Sequence, residues 1–220
     1  MWNPRRITIA AAAVLVIAGV VVAVILAQGA GSDQNAGPRV VQPGAPGESG
    51  RTLTPEELAS LTAPPHNAAD IEFFERMIPH HGQALEMTAL VPARSSNEDV
   101  HLLAERMEIS QTEEIARMQE WLTARGLPSV DPGHHGAHDM PGMLTEEQLA
   151  ELGQAQGVAF DRLFLEFMIY HHQGAVTMAN ELYTRGGGLE PASDRFAREV
   201  ISDQGIEISR MLGMLAALPA

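Results

Sequence analysis

This sequence predicts an all-α fold: a four-helix bundle made of a duplicated helical hairpin, with an N-terminal transmembrane helix ahead of it. Three observations predict it. Apolar residues recur at helical spacing over about 68–91, 97–125, 155–185 and 193–217, with no convincing alternating strand pattern. Asp70 through Met87 aligns without gaps on Asp161 through Met178, so Phe73, Met77, His80, His81, Ala84 and Met87 match Phe164, Met168, His171, His172, Ala175 and Met178. The partner helices match as well, Gln111, Glu114, Ile115 and Met118 against Gln204, Glu207, Ile208 and Met211. A hairpin repeated in this way buries its apolar face against its own copy.

The elements follow in chain order. Ile7 to Ala27 is a stretch of 21 residues with only Thr8 polar. As a helix it would span about 30 Å, the thickness of a bilayer core. Arg5 and Arg6 precede it, which keeps residues 1–6 cytoplasmic and sends the remainder across the cell membrane as a single pass. A secretory signal peptide is the rival reading, and Ala27-Gln28-Gly29 is a poor cleavage site for it. Residues 28–51 are rich in Gly, Pro, Ser, Gln and Asn, and read as a flexible tether. Residues 52–220 form the bundle domain, with repeats at about 66–126 and 145–218. Thr54-Pro55-Glu56-Glu57 and Thr145-Glu146-Glu147-Gln148 each read as a helix start, with Thr as cap and an acid or amide three residues on. Pro79 lies inside the first long helix, where it should kink the backbone near Glu75.

Composition excludes several chemistries. The 28 acidic and 14 basic residues leave a net charge of −14, which disfavours nucleic acid as a partner and suits cations. There is no Cys, so thiolate metal sites, disulfides and Cys nucleophiles are absent. Every basic residue is Arg, which excludes Lys Schiff bases and a Walker-type Lys. Eleven Met and nine His remain as the unusual donors.

On a helical wheel Phe73, Met77, His80, His81, Ala84 and Met87 fall within an arc of roughly 140°, and Met168, His171, His172, Ala175 and Met178 repeat it. Glu114 and Glu207 share the inward faces of the second and fourth helices. A buried carboxylate must be protonated, paired or metal-bound, and the four histidines are its natural partners. Such a Glu–His network could also be purely structural, holding the helices in register. Glu75 and Glu166 sit toward the edge of the arc. His66 and His101 stand alone and read as surface or capping residues.

The connection between the repeats is the second signal. Residues 131–143 carry His134, His135, His138, Met140 and Met143 on a Gly/Pro-rich loop where core packing would not call for them. His-rich tracts suggest metal binding. Thioethers favour soft ions such as Cu(I), and unlike Cys they survive in an oxidising compartment.

The paired Met-x-x-His-His-x-x-Ala-x-x-Met motifs and the His-Asp-Met-Pro-Gly-Met stretch resemble the bacterial secreted family called "domain of unknown function 305" over about residues 66–218. The resemblance implies a ferritin-like bundle and a role like that of the family's CopM-type metal-binding proteins, which bind copper and silver. It makes His80, His81, His171 and His172, with Met77, Met87, Met168 and Met178, the expected ligands. Three functions follow for test. One is an extracytoplasmic protein that sequesters copper ion, Cu(I) foremost, or silver. The second is a structural or interaction module. The third is a di-metal oxidase, against which the Glu75–His80 and Glu166–His171 spacing is two residues too long for a Glu-x-x-His motif.

Overall fold

The computed structural model describes residues 12–17, 20–25, 40–42, 49–54, 57, 65–133 and 140–219. These fall into two compact units, residues 1–64 and 65–220.

The first unit lends no support to the membrane helix expected over 7–27, of which residues 12–17 and 20–25 are described. Ala12–Ile17 (β1) and Val20–Ile25 (β2) pair as antiparallel strands, with Val14 opposite Ala23 and Val16 opposite Val21. Val40–Gln42 (β3) and Arg51–Thr52 (β4) extend the sheet in the order β1-β2-β3-β4, within the tract expected to be a flexible tether. Among the described residues no helix is long and apolar enough to cross a membrane. The physical reason lies in the side chains. Val and Ile make up five of the six residues of β2 and three of the six of β1, and branching at Cβ favours a pleated strand. A continuous apolar run carries no periodicity to separate helix from strand. Thr54 and Glu57 make the reciprocal bonds of a capping box: the Glu57 amide donates to Thr54 Oγ1, and the Thr54 amide to the Glu57 carboxylate.

The second unit is a helical bundle. Its described helices are α1 (Ala68–Thr88), α2 (Val91–Arg94), α3 (Glu98–Thr123), α4 (Glu146–Gln154), α5 (Gly157–Thr184) and α6 (Pro191–Ala217). The four long ones begin and end within three residues of the expected positions. Each start has a chemical cause. Asn67 caps α1 by accepting from the Ala69 and Asp70 amides, and Asp70 accepts from the Asn67 amide in return. Thr145 and Gln148 form the expected box at α4. Pro191 opens α6, where its missing N–H would have had no partner. Helix α1 continues through Pro79 and stops at Thr88; Pro92 begins the next short turn.

Helices α1 and α3 form one hairpin and α5 and α6 the other, with α1 against α5 between them; α3 and α6 make few close approaches. The core divides into two apolar clusters. One holds Phe73, Phe74, Met77, Met118, Trp121, Met178 and Phe196. The other holds Ala84, Met87, Met107, Phe160, Phe164, Met168 and Met211. Met77 therefore shares a cluster with Met178, and Met87 with Met168, because α1 and α5 run antiparallel. On both helices the histidine pair lies between the two clusters.

Candidate metal centre

Helical spacing turns both adjacent histidines of each pair inward. His80, His81 and His172 are fully buried, and His171 is 1% exposed. The rings divide into two kinds by what their Nε2 atoms meet. His80 Nε2 donates to the Pro141 carbonyl at 2.9 Å, and His171 Nε2 donates to the main-chain carbonyl of His80 at 2.9 Å. These two rings lie against each other tilted, with centroids 3.9 Å apart and 35° between planes. His81 Nε2 instead donates to Glu114 Oε2 at 2.7 Å, and His172 Nε2 to Glu207 Oε2 at 2.6 Å.

All four Nδ1 atoms are buried without a hydrogen-bond partner. For His80 and His171 the protonation state follows from the surroundings. Burial, and then the neighbouring His81 ring, push the His80 pKa down to about 3; the Pro141 carbonyl opposes this only in part. Burial followed by His80 lowers His171 well below the usual histidine range. Both rings are neutral at pH 7. A carbonyl can only accept, so the single ring proton sits on Nε2, and Nδ1 presents a bare lone pair. Such a nitrogen is a ready metal ligand, with its opposite N–H already fixed by a main-chain oxygen.

Thioethers lie on either side of this imidazole layer. Met77, Met87 and Met168 are fully buried and Met178 nearly so. The small Ala84 and Ala175 stand one turn from each His pair, as expected. Among the described residues no three His, Asp or Glu groups are close enough to hold an ion together. Glu75 and Glu166 are exposed, so neither of them joins the buried histidine layer.

The connecting loop is where the structure departs most from the sequence reading of this site. His134, His135 and His138 lie outside the described residues. Met140 and Met143 are not loop donors standing free of the core: both are buried and pack in the cluster with Met77 and Met178. The loop reaches them because two helical glycines admit it. A Cβ on Gly82 would lie 1.9 Å from the Pro132 oxygen, and one on Gly174 would lie 2.0 Å from the Pro141 oxygen. Gln83 then clamps the strap from α1, donating to the Leu144 carbonyl at 3.0 Å and accepting from its amide at 2.7 Å. These residues were missed from sequence. Glycine within helices is too weak a signal to find them, since Gly153, Gly205 and Gly213 are helical too and have nothing within 4 Å of a Cβ.

The carboxylate side opens to solvent. Glu114, Glu207, Asp203, Gln204, Ser110, Arg106 and Ile206 line a cleft of about 260 Å3 between α3 and α6. Partial burial, and then Glu114, Glu199 and Glu207, raise the Asp203 pKa. The remaining lone histidines have local partners: His101 Nε2 donates to the Ser95 carbonyl, and His66 meets Trp121 edge to face.

The model of the family "Domain of unknown function (DUF305)" matches residues 70–215. The chain belongs to the DUF305 family. A DUF305 protein of Streptomyces coelicolor, described as secreted, is 32% identical with a TM-score of 0.61, over 68% of this chain and 93% of its own. A DUF305 fragment from Deinococcus radiodurans is 34% identical with a TM-score of 0.63, over 70% of this chain and 100% of its own. CopM in its Cu(II)-bound form is 31% identical with a TM-score of 0.57, over 67% of this chain and 96% of its own. CopM structures with Cu(I) and with Ag are similar at 29% identity. No curated protein matches. The DUF305 chain described here therefore spans nearly the full length of each of these solved relatives.

Proposed function

We propose that this DUF305 protein binds Cu(I) or Ag(I) as cargo outside the cytoplasm, between its two hairpins, for sequestration or resistance. The observation that carries the reading is the set of four buried Nδ1 atoms without partners. Polar atoms in a protein interior are nearly always satisfied, and a group repeated four times without a partner calls for a ligand. Because no three His, Asp or Glu groups converge among the described residues, thioethers must complete the coordination. Met77, Met87, Met168 and Met178 are the nearest in sequence. Imidazole with thioether selects a soft monovalent ion over Mg, Ca or Mn. Glu114 and Glu207 serve as orienting partners of His81 and His172, His134, His135 and His138 capture or hand over ions, and Met140 and Met143 add buried thioethers to the cluster of Met77 and Met178. The copper- and silver-bound CopM structures support this reading, and the Streptomyces relative supports an extracytoplasmic location. The apolar N-terminus, anchor or signal by composition, lends it no support as a membrane helix. A ferritin-like oxidase has nothing in its favour here, since Glu75 and Glu166 point outward.

The test is thermal unfolding of the metal-free chain with and without Cu(I) or Ag(I), together with metal content after dialysis. A ligand at a hundred times its Kd should stabilise the native state by about 2.7 kcal/mol. Replacing His80, His81, His171 and His172 by Gln should abolish that shift and the retained metal. A purely structural Glu–His network, the second reading, draws support from the fact that every Nε2 is already bonded. It requires the unfolding temperature to be indifferent to either ion.

A further inference from the structure

We propose that the cavity between the C-terminal end of α3 and the first turns of α6 binds a free α-amino acid with an apolar side chain, at a site apart from the histidine layer. The cavity measures about 330 Å3, the small end of the roughly 300–1,000 Å3 of ligand pockets. Its floor is aromatic. Phe74, Trp121 and Phe196 line it and are buried, with the Phe74 and Trp121 rings stacked 4.2 Å apart. Two ion pairs tie the walls together, one at either end. Arg117 bonds to Glu199, and Arg125 to Glu190 at 2.9 Å. Both guanidiniums also lie over rings of the floor, Arg117 5.1 Å from the Phe196 centroid and Arg125 4.0 Å from that of Trp121. Arg125 donates to the Trp121 carbonyl as well. These two cations are therefore committed to the protein itself.

Between them the same register sets Glu120 on α3 against Arg195 on α6. Glu120 lies three residues beyond Arg117, and Arg195 four before Glu199, so helix spacing allows a third bridge here. That bridge is not made. Both residues line the cavity, and neither side chain has an ion pair or hydrogen bond among the described residues. Ala124 and Ala192 line it too, and their short side chains leave the gap unfilled. An unpaired acid and an unpaired base on facing walls select a ligand that carries both signs. A simple anion would be repelled by Glu120, and a simple cation by Arg195. An α-amino acid satisfies both. Its carboxylate accepts a forked pair of bonds from the Arg195 guanidinium, its ammonium donates to the Glu120 carboxylate, and its side chain lies against the aromatic floor.

L-Phenylalanine titrated into the full chain is the direct probe. The reporter is the NMR signal of the Trp121 indole N–H, which is held in place by its bond to Glu190 at 3.1 Å. The signal should move saturably. E120Q and R195Q should each weaken binding about tenfold, the loss of one charge-assisted hydrogen bond. Both variants should melt at the wild-type temperature, because neither side chain has a partner in the free chain. Phenethylamine lacks the carboxylate and hydrocinnamate lacks the ammonium, so each should bind about tenfold more weakly than phenylalanine. An unmoved indole signal, wild-type affinity in either variant, or undiminished binding of either singly charged analogue would overturn the proposal. A lowered melting temperature in both variants would mean that Glu120 and Arg195 bridge to one another in solution, and would overturn it as well.

Discussion

The four histidines are the same side chain at repeated positions, yet the pair His80 and His171 and the pair His81 and His172 are held by different chemistry. The first pair donates to main-chain carbonyls, packs ring against tilted ring, and has its basicity suppressed by burial and then by neighbouring histidines. The second donates to carboxylates that reach the surface. A carbonyl and a carboxylate can both only accept, so the division between the pairs lies in the acceptor itself and in what it touches. One interior thus contains two imidazoles fixed as lone-pair donors by main-chain oxygens and two tied to carboxylates on the facing helices.

The largest expected effect of this difference is acid sensitivity of the metal-free protein. His80 and His171 titrate near 6.5 when unfolded but stay neutral to much lower pH when folded. The unfolded state therefore binds more protons across that interval. Stability from these groups is fully present above pH 6.5 and falls as pH drops toward 3, by about 1.4 kcal/mol per pH unit for each ring. Denaturant melts at pH 7, 6, 5 and 4 read the slope; a flat profile would mean that the two rings are not held neutral.

The next effect separates the pairs mechanically. Gly174→Ala places a methyl group where the Pro141 oxygen lies, 2.0 Å from the new Cβ, and so displaces the acceptor of His80. The strap must move, at an expected cost of about 3 kcal/mol. Chemical shifts of the His80 ring should change more than those of His81 and His172. Unchanged stability would show that the strap does not pack there.

The smallest effect distinguishes the two carboxylates from each other. Glu114→Ala leaves the buried His81 N–H without an acceptor, an expected loss of about 2 kcal/mol. Glu207→Ala should cost less, because the Glu207 side chain is twice as exposed and water can replace it. Paired unfolding curves check the order, and a larger loss at Glu207 would reverse the assignment of the better-sealed dyad.

Much of this arrangement was legible in the amino-acid sequence because helices convert spacing into direction. The gapless match of Asp70–Met87 on Asp161–Met178 carried the duplication, and the 100° step carried the burial of His80, His81, Glu114, His171 and His172. Neither rule could reach the strap. Its path depends on which backbone atoms meet Gly82 and Gly174, contacts between residues far apart in the chain, and Met140 and Met143 became core only through that path. The N-terminal strands were illegible for another reason: an unbroken apolar run has no period to read. The shared repeat also hid a difference. Asp70 accepts from Ser193 Oγ and the Gly188 amide, whereas Oδ1 of its counterpart Asp161 is buried without a partner.

The hydrogen bond from the His171 ring to the His80 carbonyl runs in one direction only. Two identical hairpins related by a true dyad would exchange it, each ring donating to the opposite backbone. Here His80 turns its proton to Pro141, and a Cβ on Gly142 would lie 2.7 Å from the His171 carbonyl oxygen where the reciprocal bond would have formed. The peptide that joins the halves has therefore taken over a place that symmetry would assign to the second copy. Severing that join would do more than untether two equal lobes: it would leave one imidazole without its acceptor, so the fused chain has become dependent on its own seam.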